Sequence, residues 1–168
     1  HGGRAVPFTI VNMPFVDEHG REGVTVSRRF HHRGRAAGRF DATMLRAGRP
    51  NVVDDLLGHR QNVLAVLQPS VDPQTRCIRF VSTELRWVRR RGRSVRIPTV
   101  VAGTARVHEW WDGTRFHIEV RVVHPLFGQV FAYRGEFDVI EVDGAHPLVC
   151  EAIPSERRLL DRGDWVAR

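Results

Sequence analysis

Lysine is absent from this chain: all 26 basic residues are arginine. Without a lysine amine there is no Schiff-base chemistry and no lysine general base. Cysteine is nearly absent too. Cys77 and Cys150 share no CxxC spacing and no Cys-His ligand pattern, so no zinc motif is present. Cys77 sits in a strand-like run and is expected as a small core residue. No apolar run approaches the length of a membrane-spanning helix. There is no secretory signal and no initiating Met, and the opening His1-Gly2-Gly3 reads as a cleavage scar or trimming point with chain missing upstream. A serine nucleophile elbow, a phosphate loop and a dinucleotide fingerprint are all missing. So are internal repeats and, almost everywhere, helical periodicity.

An apolar fraction of 42% in 168 residues is enough for one ordinary domain spanning the chain. The arginines are spread along the whole length, which fits a GC-rich genome better than a functional use of their planar forks. The net charge of +7 suits an acidic partner. Its densest cluster is Arg86-Trp87-Val88-Arg89-Arg90-Arg91-Gly92-Arg93-Ser94-Val95-Arg96. A nucleic-acid patch is one reading of it. A solvated hairpin tip turning at Gly92 and Ser94 is the reading adopted, so a nucleic-acid partner is not expected.

Short alternating runs divided by Gly, Pro, Asn and Asp predict strands over 5–13, 23–30, 39–46, 52–57, 62–68, 76–85, 87–90 and 95–97, followed by three more within 104–139. This predicts an all-β, antiparallel barrel or strongly bent sheet, lipocalin-like in outline, with a sandwich as the nearest rival. A short tail helix is expected over 155–161, capped by Ser155 and stopped by Gly163. Residues 97–101 read as a short crossing segment. Residues 31–38 read as a Gly-rich basic loop; His31 and His32 are poor chelators there, because adjacent strand residues point to opposite faces.

The most informative stretch runs from Thr104 to Val139. Asp112-Gly113 reads as a two-residue hairpin turn. That register sets Trp111 opposite Thr114, Glu109 opposite Phe116, His108 opposite His117, Val107 opposite Ile118 and Arg106 opposite Glu119. A second turn over Pro125-Leu126-Phe127-Gly128 sets Val122 opposite Phe131, Val120 opposite Tyr133, Glu119 opposite Arg134 and Phe116 opposite Phe137. The two registers agree on the faces. One is apolar, with Val107, Phe116, Ile118, Val120, Phe131 and Phe137, and must be the inside. The other carries Arg106, His108, Trp110, His117, Glu119, Arg121, Arg134 and Glu136.

Glu109 and Tyr133 intrude on the apolar face. A buried carboxyl is costly unless paired, and burial raises its pKa until it can serve as a general acid or base near neutrality. Glu109 and Tyr133 are therefore the candidate catalytic pair, and Trp111, Phe116, Ile118, Val120 and Phe131, together with Arg28, the candidate ligand-binding residues. The bland alternative has Glu109 paired with an inward arginine such as Arg28, and Tyr133 bonded to backbone. On the outer face, Arg106–Glu119–Arg134 and His108–His117–Glu136 form two charged rows. A metal held by His108, His117 and Glu136 is set aside, because three residues in a flat row rarely converge on one ion. Trp110 is expected to stack with Arg115.

Several pieces occur in a recognisable order: Arg28-Arg29-Phe30, Arg39-Phe40-Asp41, Asp112-Gly113 with Arg115-Phe116-His117-Ile118-Glu119-Val120, His124-Pro125-Leu126-Phe127-Gly128 and Tyr133-Arg134-Gly135. Over 25–137 they resemble the bacterial family catalogued as domain of unknown function 4166, which occurs alone or after saccharopine-dehydrogenase-like domains. Two departures stand out: the extra 31–38 loop, and the family's helical upstream portion, which is absent or cut away. The resemblance implies a bacterial, cytoplasmic domain and, as partner, a fused or separate oxidoreductase domain. It implies no reaction and no catalytic residue.

The leading expectation is a domain that binds an apolar small molecule in its interior, since barrels of about eight or more strands have room for one. The second is a cofactor-independent isomerase, cyclase or lyase that folds a greasy, natural-product-like substrate, with Glu109 and Tyr133 polarising a carbonyl or moving a proton. The third is a basic nucleic-acid or scaffold module using 86–96. No cofactor and no metal is called for, and a homodimer is compatible with all three.

Overall fold

The computed structural model describes residues 5–17, 19–34, 36, 38–58, 60–89 and 93–143. Its elements are β1 (Phe8–Val16), β2 (Glu22–Phe30), β3 (Gly38–Arg46), β4 (Val53–Leu57), β5 (Val63–Val71), β6 (Ile78–Val88), β7 (Ser94–Ile97), the one-turn helix α1 (Thr99–Ala102), β8 (Thr104–Trp111), β9 (Phe116–His124) and β10 (Gly128–Phe137). All ten strands form one antiparallel sheet in the order β1-β2-β3-β4-β5-β6-β8-β9-β10, with β7 pairing β6 beside that path. The sheet curls into a half-barrel, as its alternating runs predict. Among the described residues no helix is long and apolar enough to cross a membrane. The expected tail helix and Cys150 lie outside the described residues, while Cys77 is buried and unbridged.

The expected strand over 87–90 is not separate; it is the end of a long β6. This strand forks. Ile78–Val81 pairs with β8, and Leu85–Val88 pairs with β7. Opposite β5 a bulge inserts Thr83, whose hydroxyl donates to the Val66 carbonyl at 3.3 Å. The chain then crosses to β8 through Pro98 and α1, where the crossing segment was expected. Gly103 ends the crossing at φ 75°, and a Cβ there would lie 2.7 Å from the Val123 carbonyl oxygen, so only glycine fits.

The β9–β10 register is the predicted one residue for residue, with Glu119 opposite Arg134 and Phe116 opposite Phe137. The β8–β9 register differs. Trp111 faces Phe116 rather than Thr114, and Glu109 faces Ile118 rather than Phe116, a slip of two residues. The cause is the turn. The Asp112 carboxylate accepts from the Thr114 and Arg115 backbone N–H groups at 2.8 Å each, and Asp112 N–H donates to the Arg115 carbonyl at 3.2 Å. This local capping makes a four-residue loop, 112–115, where a two-residue turn was expected. A slip of two leaves each side chain on its face, because the strand period is two.

One face of the sheet runs through Phe8, Arg28, Asp55, Ile118, Tyr133 and Phe137, as the registers require. Side chains of this face meet across the strand order: Phe8 touches Phe137, and Phe30 touches Tyr133, with ring centroids 6.3 and 6.0 Å apart. It is therefore the concave face. The aliphatic cluster of Leu45, Leu56, Leu64 and Val88, with Phe15 packed on it, lies on the opposite face. The middle strands are thus buried on both faces, and they bury polar as well as apolar side chains, among them Ser27, Asp41, Thr43 and Asp55.

Phe8 packs closely on Gly135: a Cβ there would fall 2.8 Å from Phe8 Cε1. Gly135→Val should lower the urea midpoint by the equivalent of about 1–3 kcal/mol. The double variant with Phe8→Ala should recover part of it, because the two sites share one contact. Additive losses would show that the ring is not seated there.

Candidate functional site on the concave face

Arg28 and Asp55 each belong to a charged doublet, Arg28-Arg29 on β2 and Asp54-Asp55 on β4. In a strand buried on both sides, alternation must send one member of each doublet inward. Arg28 and Asp55 are the inward members, 9% and 6% exposed. Glu109 on β8 and Tyr133 on β10 join them on the same face. Arg28 Nε and Asp55 Oδ1 are both buried without a hydrogen-bond partner.

The four groups feel one another's charge. Burial pushes the Asp55 carboxyl up to about 6, against the pull of the Arg28 guanidinium. Glu109 is raised by burial and held back by the same arginine. The Tyr133 phenol is also raised, by burial first, with the Glu109 and Asp55 charges adding to it and Arg28 opposing. Burying a charge disfavours the charged form, and one arginine serves two carboxyls here. Arg28 also lies over the Phe40 ring, 5.6 Å from its centroid.

A continuous chain of seven aromatic rings flanks this cluster. It runs Trp111–Phe116–Phe137–Phe8–Phe30–Tyr133–Phe131, with successive centroids 4.8, 5.8, 6.3, 6.2, 6.0 and 5.8 Å apart. Its two ends are open to solvent, Trp111 at 50% and Phe131 at 54% exposed, while the rings between are more covered. The expected wall residues therefore fall at different depths. Ile118 is buried, Val120 is half-buried, and Trp111, Phe116 and Phe131 form the rim. Phe8, Phe30 and Asp55 were not anticipated from the sequence, whereas Phe137 was expected on the inner face, opposite Phe116, as observed.

The outer face is arranged differently from the expected rows. Because of the slip, His108 faces Glu119, Trp110 faces His117, and Arg106 faces Arg121. His108, His117 and Glu136 do not share a row. The Trp110 ring stacks on His117 at 5.0 Å and lies under Arg134, rather than under Arg115, which pairs with Glu136 at 3.0 Å. In the basic run, Arg86 is bonded to Glu84 and to Ser94 at 2.8 Å each, and Arg96 lies 4.0 Å from Glu84.

An antiparallel half-barrel with an aromatic and ionisable concave face defines an open-barrel, all-β protein. The chain belongs to the family described as domain of unknown function DUF4166, whose model matches residues 1–137. That match takes in β1, upstream of the pieces that carry the resemblance. The chain is also similar to the uncharacterized protein YndH of Bacillus subtilis (strain 168), with 29% identity over 139 residues. The aligned region covers 80% of this chain and 65% of that protein's length. No solved structure matches the chain.

Proposed function

We propose that the half-barrel binds an apolar small molecule along its concave face. The observation that carries this reading is the ring chain, which runs between two open ends through the half-buried Tyr133, on the face that also carries the buried Arg28 and Asp55.

N-phenyl-1-naphthylamine, a neutral apolar fluorophore, tests this reading. Its emission should rise saturably on titration with the folded protein, with one site per chain. Phe137→Ser, in the middle of the ring chain, should weaken that site about tenfold or more. A linear, non-saturating signal, or an unchanged affinity in the variant, would overturn the proposal.

One observation favours a catalytic version of the same site. An Asp55 carboxyl near 6, beside a raised Glu109 and a phenol, can exchange protons at ordinary pH. In that version Glu109→Gln abolishes turnover of a bound carbonyl substrate while probe binding survives. The nucleic-acid reading draws less support, because Arg86 and Arg96 already have an acidic neighbour in Glu84.

A further inference from the structure

In an antiparallel sheet, alternate hairpin connections leave at the same end of the strands. The connections 31–37, 58–62, 89–93 and 125–127 therefore share one end. Two of them are tied together: Val88 N–H donates to the Asn62 carbonyl and Arg89 N–H to the Arg93 carbonyl, both at 2.8 Å. The crossing 98–103, with α1, joins this end too. Gly103 lies close against Val123 and His124, where β9 enters the 125–127 turn. The sequence of these five segments contains no Asp or Glu. Arg33, Arg60, Arg89 and Arg93 stand exposed in them, and none has an ion pair among the described residues. At the opposite end Asp17, Asp72 and Asp112 pair with Arg21, Arg79 and His117. Exposed apolar side chains occur at both ends, so charge is what separates them. At the basic end they stand on the projecting segments: Val100 and Val101 on α1, and Leu126 and Phe127 on the turn, are 61–77% exposed.

We infer that this end of the half-barrel docks on the anionic surface of a lipid bilayer. Val100, Val101, Leu126 and Phe127 enter the boundary between head groups and acyl chains, and the four free arginines meet lipid phosphates. Surface binding of this kind adds apolar burial to attraction by anionic lipid. The guanidinium fork matches phosphate oxygens, and no carboxylate in these segments competes for it. The apolar side chains favour lipid over nucleic acid. A nucleic-acid strand uses arginines and stacking aromatics, and would leave the two valines and the leucine in water. The docking goes beyond the binding reading above and does not depend on a guest in the concave face.

Co-sedimentation of the full chain with vesicles provides the test, comparing equal parts phosphatidylglycerol and phosphatidylcholine with phosphatidylcholine alone. In about 0.1 M salt the anionic vesicles should bind at least about tenfold tighter, and most of that advantage should be lost in about 0.5 M salt. The double variants Leu126→Ser with Phe127→Ser and Arg89→Gln with Arg93→Gln should each weaken binding about tenfold or more. All four positions are exposed, so the fold should tolerate them. Arg49→Gln with Arg76→Gln removes the same charge from the opposite end and should change binding by less than about twofold. Equal binding to both vesicles, or binding to neither, would overturn the docking. So would equal losses in the two arginine variants, or no loss in the Leu126 and Phe127 variant. Tighter binding per phosphate to a fluorescent single-stranded oligonucleotide would overturn it as well, by giving this end to nucleic acid.

Discussion

Replacing Asp55 by Asn should remove about 3 kcal/mol of pH dependence from the stability of this protein. The sign follows from the direction of the shift. Burial raises the folded-state pKa of Asp55 from 3.8 to about 6. Between those values the folded chain holds a proton that the unfolded chain has released. The group's contribution is therefore most favourable below about pH 4 and is lost as the pH rises through 6, a change of roughly 3 kcal/mol for a shift of about two units. Asparagine does not titrate. The difference in unfolding free energy between the two proteins, from urea melts at several pH values, should drift in the variant's favour from about pH 4 to pH 7 and then level off. A constant difference over that range would show that Asp55 does not ionise in a buried site, and the catalytic version of the site would fall with it.

Leu56→Ala is expected to cost about 3 kcal/mol, within the usual range of roughly 2–5 for a fully buried leucine. Leu56 is wholly inaccessible and packs with Leu45, Leu64 and Val88 on the convex face, with Phe15 against them. Truncation leaves a void that β-sheet neighbours, fixed by their ladders, close only in part. Val100→Ala on α1, where the side chain is 61% exposed, should stay within about 0.5 kcal/mol and serves as the comparison. Urea unfolding at one pH measures both. A loss below about 1 kcal/mol for Leu56→Ala would mean that the convex cluster is not close-packed. Below its unfolding transition, the Leu56→Ala protein should bind the naphthylamine probe with the original affinity, because the packing that stabilises the sheet lies on one side and the rings on the other.

How far these features can be read from the residues depends on the range of the physics behind them. The β9–β10 pairing is legible because the alternation of Phe131, Tyr133, Gly135 and Phe137 against Val122, Val120, Ile118 and Phe116 permits one alignment. The β8–β9 pairing is misread by two residues, because the Asp112 carboxylate extends the loop through hydrogen bonds that a turn rule based on φ preferences does not weigh. The even slip spares the inward assignment of Glu109 and Tyr133 but changes the outer rows. Asp55 shows what else the residues contain. In Val53-Asp54-Asp55-Leu56-Leu57 a buried strand must turn one aspartate inward, the same logic that makes Arg28 of Arg28-Arg29 an inward charge. The contacts of Phe8 and Phe30 with the last strand are different in kind. They join the first strands to the last, and no local pattern announces how far a sheet will curl.

That curl brings β1 and β2 to β10 through rings, while the order of the ladder ends at β1 and β10. A circle completed by backbone bonds resists opening, because each lost bond leaves polar groups to be satisfied. One completed by Phe8 against Gly135 and Phe137 can widen by rotating side chains, with every strand still paired as before. The seam is then a clasp: under the binding reading proposed above, a guest would enter and leave there at the cost of a few van der Waals contacts.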